Sequence, residues 1–322
     1  MTIIDLHQVR PVALDELANH PKARDVLIND GRHVYVDLGE GLRLAGTTTE
    51  AQTRAFVERE LRTSGRRIDR TSPIVDARLR DGSRLCAVIP PIAFRGTCVA
   101  VRRFTVPDVT IANFGGIDLE GLIAEIIDRR CNVIVTGAAG VGKTTFANAF
   151  CSLIDRHERI ITIEDTAELS LSHPHVVSLE SQPPNLEGNG SISVASLVRT
   201  ALRMRPDRLI VGEVRGAEVL DMLAAMNTGH SGSLSTCHAN SPMDAIRRLE
   251  SLVLQHGAKW TPDGAREHIR AALDVCVHVT RLDEGTRVVE SVVELPLSQH
   301  HVFVELYRHG ERTGSLTRGI AK

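Results

Sequence analysis

The residues with the clearest chemical potential lie mid-chain, where GAAGVGKTT fits the pattern GxxxxGK[ST] of a phosphate-binding loop. Glycines let the backbone turn so that successive N–H groups face a polyphosphate, and the following helix adds its positive N-terminal end. Lys143 is predicted to reach the β and γ phosphates, and the Thr144 hydroxyl to hold Mg²⁺. The predicted nucleotide site comprises Gly137, Ala138, Ala139, Gly140, Val141, Gly142, Lys143, Thr144 and Thr145.

Such a loop occurs in kinases, GTPases, transporter ATPases and RecA-like motors. Two absences in the sequence narrow that choice. Lysine occurs only at positions 22, 143, 259 and 322, so an NKxD guanine-recognition motif is absent, and no LSGGQ segment of an ABC transporter is present. A glycine-rich turn that fits by chance is set aside, because the loop lies between a predicted strand and a predicted helix. The sequence therefore favours an ATP-binding protein.

Acidic residues follow two apolar segments downstream of the loop. Glu213 ends RLIVGE, as a Walker B acid does, and is predicted to bind Mg²⁺ through water or to polarise the attacking water. Glu164 ends RIITIE and is followed by Asp165 and Glu168, where a parallel strand delivers groups to the ligand edge of a sheet. Glu164 is the best candidate for the base or water-positioning residue. A strand-end carboxylate without a role and a solvated acidic turn remain the respective alternatives.

Cys237 and His238 in GSLSTCH raise the question of a metal site. That segment is typical of a strand, in which neighbouring side chains point to opposite faces, so the two are not expected to share one zinc ion. His238 stands at the predicted strand end and is a candidate sensor of the γ-phosphate. A hydrogen-bonded structural histidine is the alternative.

These candidates need a scaffold, and from residue 118 onward helix and strand signals alternate. Helices are predicted in LEGLIAEIIDRR and TTFANAFCSLI, and strands in NVIVT, RIITIE and RLIVGE. Such alternation predicts an α/β domain with a parallel sheet covered on both faces. Ser241 and Pro242 are typical of an N-cap and first position of a further helix, and 181–191, rich in Pro, Gly and Asn, is predicted as a surface loop.

Residues 1–104 mix short strand-like runs with one helical segment, TEAQTRAFVERELRTSG, predicted to end at its glycine. This pattern predicts a smaller α+β domain. Pro107, Gly115 and Gly116 interrupt regular structure, so residues 105–117 are predicted to be a linker and 118–322 the second domain. A length of 322 residues agrees with two domains.

The composition argues against several classes of protein. A net charge of -2 gives no support for sequence-independent nucleic-acid binding. No apolar run approaches the roughly 18 residues of a spanning helix, and the first residues lack a secretory signal pattern, so a cytosolic location is expected. The six cysteines show no CxxC spacing and are expected to be reduced thiols.

Four segments, GAAGVGKTT, TIEDTAEL, LRMRPDRLIVGEVRG and MNTGHSGSLSTCHANSP, together resemble the CpaF/TadA family of pilus-assembly ATPases within the secretion-ATPase superfamily. RRIDRTSPIVDARLRDGSRLCAVIPP also resembles that family's N-terminal domain, and the similarity spans about residues 66 to 295. The resemblance implies a RecA-like P-loop domain with a parallel-type sheet, preceded by a smaller, PAS-like α+β domain. It also implies ATP and Mg²⁺ as ligands and assembly into a homo-hexameric ring.

The same resemblance implies roles for individual residues. The family's Walker A, Asp-box, Walker B and His-box positions correspond to Lys143, Thr144, Glu164, Glu213, His230 and His238. Arginines of the family's N-terminal domain approach the phosphates, and Arg84 and Arg102 occupy the matching positions. Such an arginine would neutralise charge in the transition state. An ordinary surface arginine is the alternative at each position.

The leading expectation is an ATP-hydrolysing motor for a Flp/Tad pilus or a related type II or IV secretion machine. It places the protein in the cytoplasm at the inner face of the cell membrane, held there by platform proteins and without direct nucleic-acid contact. One alternative is a conjugative DNA-transfer ATPase, which shares the motor. Another is a nucleotide-switched scaffold with little turnover, against which the presence of both Glu164 and Glu213 argues.

Overall fold

The computed structural model of the protein describes residues 10–319, except for 21, 40, 63–65, 80–81, 104–108, 183, 185–188, 283–284 and 297–302. The chain divides into two compact units, Met1–Thr105 and Val106–Lys322. In the described part of the chain, no helix combines the length and the apolar composition needed to cross a membrane.

The first unit is an antiparallel sheet with two helices, as predicted for an α+β domain. Its six strands lie in the order β3-β2-β1-β6-β5-β4. They are β1 (Asp25–Asn29), β2 (His33–Asp37), β3 (Leu42–Thr47), β4 (Ile74–Arg78), β5 (Arg84–Val88) and β6 (Cys98–Arg102), and the helices are α1 (Leu14–Ala18) and α2 (Glu50–Leu61). Apolar residues alternate along β1, β2, β5 and β6, so one face of the sheet builds the core.

Helix α2 covers that apolar face with Phe56, Val57 and Leu61. It begins at a capping box, in which Thr49 and Gln52 satisfy each other's backbone N–H groups. Its predicted end at Gly65 lies outside the described residues, and the helix itself ends earlier, at Leu61. The sequence therefore predicted this helix correctly but placed its end four residues too far along the chain.

The second unit contains a nine-stranded sheet in the order β15-β14-β13-β12-β7-β11-β10-β8-β9. The strands are β7 (Val133–Gly137), β8 (Ile160–Glu164), β9 (Val176–Glu180), β10 (Arg208–Val211), β11 (Leu234–His238), β12 (Val275–Arg281), β13 (Arg287–Glu294), β14 (Val304–Arg308) and β15 (Glu311–Arg312). The six strands from β12 to β9 are parallel. Strands β7, β8 and β10 are buried along their whole length, as expected when both faces are covered.

Apolar clusters pack on both faces of this sheet, which confirms the predicted α/β architecture. The covering helices are α3 (Ala112–Asp128), α4 (Lys143–Cys151), α5 (Val194–Ala201), α6 (Glu218–Asn227), α7 (Pro242–His256) and α8 (Pro262–Ala272). The sheet is parallel over its six strands from β12 to β9, as predicted, and it adds an antiparallel edge formed by β13, β14 and β15. The connection from β12 to β13 is too short for the crossover that a parallel pair requires.

The predicted linker at 105–117 differs from the structure near its end. A helical turn starts at Ala112, whereas Gly115 and Gly116 leave helical geometry and bend α3. The carbonyl of Gly115 accepts a hydrogen bond from the Tyr307 hydroxyl at 2.9 Å, and a Cβ at Gly115 would lie 2.1 Å from that oxygen. The glycine is therefore required for close packing against β14.

Candidate functional site

The phosphate-binding loop follows β7 and leads into α4, as its sequence pattern predicts. Gly137, Gly140 and Gly142 have φ angles of 150°, 75° and 105°, which L side chains rarely adopt. A Cβ at Gly137 would also lie 2.3 Å from the carbonyl oxygen of Val279 on the neighbouring strand. The loop therefore needs glycine for its backbone path and for its close approach to β12.

Lys143 is the first residue of α4 and is buried beneath this loop. Its Nζ donates to the carbonyl oxygens of Gly137 and Ala138 at 3.0 and 2.8 Å, so the ammonium group holds the loop closed on itself. Burial lowers the pKa of Lys143, and the nearby Glu213 carboxylate opposes that shift. A bound polyphosphate would give this ammonium group a stronger partner than two carbonyl dipoles.

His238 links Lys143 to Glu213. The Nζ of Lys143 lies 3.1 Å from His238 Nδ1, and His238 Nε2 lies 3.2 Å from a carboxylate oxygen of Glu213. Because the ammonium group can only donate, Nδ1 accepts and Nε2 carries the proton that faces Glu213. The structure therefore brings three predicted site residues into contact at the P-loop edge of the sheet.

Glu164 lies against the turn that carries Glu213. One carboxylate oxygen of Glu164 accepts backbone N–H groups of Glu168 and Leu169 at 2.8 and 3.0 Å, which orders the acidic segment after β8. A Cβ at Gly212 would lie 2.6 Å from Glu164 Cγ, so the two acidic segments touch at this glycine. Glu164 therefore packs against the glycine that precedes Glu213.

We expect Gly212→Ala to lower ATP turnover about tenfold, because the added methyl group must push the Glu164 side chain away from its position, and small misplacements near reacting atoms are costly. Gly121→Ala in α3 is the matched control, since a Cβ there meets nothing within 4 Å. Steady-state hydrolysis and thermal unfolding of both variants would be measured. Unchanged turnover in Gly212→Ala would show that Glu164 tolerates displacement.

The oxygen donors around Thr144 fit the magnesium ion that the sequence predicts. Thr144 Oγ1 lies 3.5 Å from a carboxylate oxygen of Glu168. The carboxylates of Glu213 and Glu168 both act to raise the pKa of Lys143, so both lie near its ammonium group. Hydroxyl and carboxylate oxygens are the ligands that Mg²⁺ prefers, directly or through water. Thr144 and Glu213 are therefore the residues that would hold the ion, with Glu168 beside them.

The other residues of the predicted His-box segment lie away from this chain. Cys237 is buried in the core on the opposite face of β11 from His238, as the strand pattern predicts. His230 precedes β11, whose register with β7 puts its first residue at the edge remote from the P-loop. Within the chain, His230 therefore lies apart from the P-loop.

Arg84 and Arg102 are directly opposite each other on β5 and β6 of the first unit. Arg78 on β4 is opposite Arg84, so three guanidinium groups follow one row across the sheet. On the other side of the row, Asp25 pairs with Arg102 at 3.4 Å. Directly opposite residues share a face of a sheet, so the three guanidinium groups start from the same face of this sheet.

Sequence reasoning missed two groups that shape the loop after Glu213. Glu218, at the start of α6, accepts the N–H groups of Arg215 and Gly216 at 2.7 Å each. Arg215 reaches back to Glu213 at 3.3 Å. A cleft of about 510 Å³ opens beside this loop, bordered by Asp165, Thr166, Ser181, Ser193, Glu213 and Glu218. The spacing of Glu218 from Gly216, typical of a carboxylate that orders a helix start, is the signal that could have found it.

Comparison with known proteins identifies the family. The model of the family described as "Type II/IV secretion system protein" matches residues 14–309, which covers both units. The chain belongs to this secretion family. That result agrees with the superfamily inferred from the four sequence segments, whereas membership of the CpaF/TadA branch is not established by it.

Similar proteins add detail within the secretion family. A protein of Mycobacterium tuberculosis named "Putative conjugal transfer protein" is 40% identical over 93% of this chain and 88% of its own length. The conjugal transfer protein TrbB of Rhizobium radiobacter is 31% identical over 92% of this chain and 90% of its own length. The structure of the pilus retraction motor PilT with bound ADP superposes with a TM-score of 0.64, at 21% identity, over 88% of this chain and 82% of that one. This structural likeness shows the shared fold.

Proposed function

We propose that this protein is an ATP-hydrolysing motor subunit of a conjugal-transfer type IV secretion machine. The observation that carries the proposal is the chain Lys143–His238–Glu213, which joins the phosphate-binding loop to the acid after β10. The names of two relatives that match over more than nine tenths of this chain support conjugal transfer over the Flp/Tad pilus, which was the leading expectation from the sequence.

In the proposed reaction, water attacks the γ-phosphorus in line with the bond to the β-phosphate, and ADP leaves. Lys143 exchanges its carbonyl partners in the loop for phosphate oxygens and neutralises their charge. This exchange also breaks its bond to His238 and so reports nucleotide arrival to Glu213. A Mg²⁺ ion held by Thr144 and Glu213 would supply further neutralisation of the phosphates.

The attacking water needs a group that orients it and accepts its proton. Glu164 and Glu213, which lie at the carboxyl ends of the neighbouring parallel strands β8 and β10, are the candidates, and we place Glu164 in this role because Glu213 is the residue that would hold the Mg²⁺ ion. Arg84 and Arg102 would neutralise charge in the transition state from a neighbouring subunit of a homo-hexameric ring. The ring would work at the cytoplasmic face of the membrane through secretion-platform proteins.

The roles of Glu164 and Glu213 can be distinguished by replacing each with glutamine, which has nearly the same shape. Glu164→Gln keeps an oxygen that can accept the N–H groups of Glu168 and Leu169, so folding should be preserved while turnover falls at least about tenfold. ATP turnover by the purified wild-type protein and by the Glu164→Gln and Glu213→Gln variants would be measured with and without Mg²⁺. Light scattering in the presence of ATP would give their oligomeric state. A wild-type protein that binds ATP without hydrolysing it would support the scaffold alternative.

The Flp/Tad pilus motor remains a second candidate, because the four sequence segments occur in the order found in that family. Deletion of the gene in its host distinguishes the two roles. Loss of plasmid transfer with pili retained supports conjugal transfer. Loss of surface pili with transfer retained supports the pilus motor.

A further inference from the structure

The β12–β13 hairpin carries an arginine onto the first turn of α4. Arg287, the first residue of β13, donates from Nη1 to the Thr145 hydroxyl at 3.0 Å. Its side chain also crosses Gly142, where a Cβ would lie 2.7 Å from Arg287 Cδ and 3.2 Å from Nε. The last glycine of the P-loop is therefore required both by its positive φ angle and by the arginine stem that lies over it.

This position is electrostatically unfavourable for a cation in the absence of an anion. The N-terminus of a helix carries partial positive charge, and α4 has no acidic residue in its first turn. Among the residues that the structure describes, no carboxylate forms an ion pair with Arg287, and its hydrogen-bond partner is the neutral hydroxyl of Thr145. Arg287 is exposed and could turn toward solvent instead. The position of Arg287 at the start of α4 is therefore suited to binding an anionic ligand.

The order of residues along α4 indicates which part of a nucleotide would lie there. Lys143 reaches the β and γ phosphates in a P-loop, and Thr144 faces the Mg²⁺ ion. Thr145 is one residue further along the first turn, and Arg287 approaches it from β13, whereas His238 approaches Lys143 from β11. The two strands lie on opposite sides of β7. Arg287 therefore lies on the opposite side of the loop from His238, the predicted sensor of the γ-phosphate.

We propose that Arg287 is a nucleotide-binding residue that contacts the α-phosphate side of ATP and ADP. This inference rests on the proposed ATPase function. In the free protein, Thr145 holds the guanidinium group in place, and on binding that group donates to phosphate oxygen as well. Because the contact involves phosphate that stays with ADP, it contributes to substrate and product binding equally and leaves the chemical step nearly unchanged.

The test is the affinity of the full chain for ADP and the separation of KM from kcat. We expect Arg287→Gln to raise the Kd for ADP and the KM for ATP about tenfold or more, as for loss of a hydrogen bond between charged groups, with kcat within about twofold. Arg287→Lys should recover part of the affinity, since it restores the charge without the planar fork. Isothermal titration with ADP, steady-state kinetics and thermal unfolding would be measured on the same preparations.

Arg281→Gln is the matched control, because Arg281 is the cross-strand partner of Arg287 and directs its Nε to the Gly285 carbonyl instead. It should change Kd and KM less than about twofold, since a direct hydrogen bond carries more energy than a screened surface charge. Two results overturn the role of Arg287 and leave the proposed function intact. One is an equal loss of ADP affinity in both variants. The other is no loss of affinity in Arg287→Gln while the wild type binds ADP and turns over ATP. A wild-type protein that binds neither ADP nor ATP overturns the proposed function together with this inference.

Discussion

Replacement of Lys143 by alanine is expected to lower ATP turnover by at least about 100-fold, the scale on which loss of one preorganised charge donor affects a transition state. Lys143 is buried beneath the loop, where its ammonium group bridges two carbonyl oxygens and His238. Its alanine variant loses both the charge opposite the phosphates and the link to Glu213. Steady-state hydrolysis over a range of ATP concentrations measures the effect on kcat and on KM.

Lys259→Ala provides the control for the lysine substitution. Lys259 is exposed, and its removal changes the net charge by the same amount. It should leave turnover unchanged. The Lys143→Ala protein should remain folded, because water that fills the space left by the side chain can donate to the carbonyl groups of Gly137 and Ala138. Turnover retained in a folded Lys143→Ala variant would contradict the proposed ATPase site as a whole.

The sequence predicted where groups lie when their placement depends on local order in the chain. The P-loop requires a strand, a glycine turn and a helix in succession, so GAAGVGKTT together with NVIVT before it was sufficient. Glu164, Glu213 and His238 each end a predicted strand, and parallel strands bring their carboxyl ends to one edge of the sheet. Their contacts in the structure follow from that topology.

Groups that depend on pairing between distant segments could not be predicted in this way. Arg287 reaches Thr145 only because β12 pairs with β7 and then returns as a hairpin, and nothing in the sequence around Arg287 signals that register. Two residues beyond β13 are similar. Arg318 forms an ion pair with Asp274 at 2.8 Å, and Tyr307 packs on Gly115, so both contribute to the packing of the second unit. No local motif marks those contacts.

The largest expected effect on stability comes from an ion pair far from the P-loop edge. Arg208, at the start of β10, is fully buried, and its guanidinium group donates to both carboxylate oxygens of Glu158 at 2.8 and 2.9 Å. It also donates to the carbonyl oxygens of Ile127 and Gly232. The pair thereby joins the end of α3 to the strands at the edge remote from the nucleotide loop.

Glu158→Gln is expected to lower the free energy of unfolding by about 3 to 5 kcal/mol, because it leaves the Arg208 charge buried without its counter-ion. Asp221→Asn is the matched acid-to-amide control: Asp221 pairs with the exposed Arg199, so its loss should cost about 1 kcal/mol or less. Denaturant unfolding followed by circular dichroism measures both. An equal decrease in the free energy of unfolding in Glu158→Gln and Asp221→Asn would contradict the argument that burial makes the loss of the Arg208 counter-ion costly.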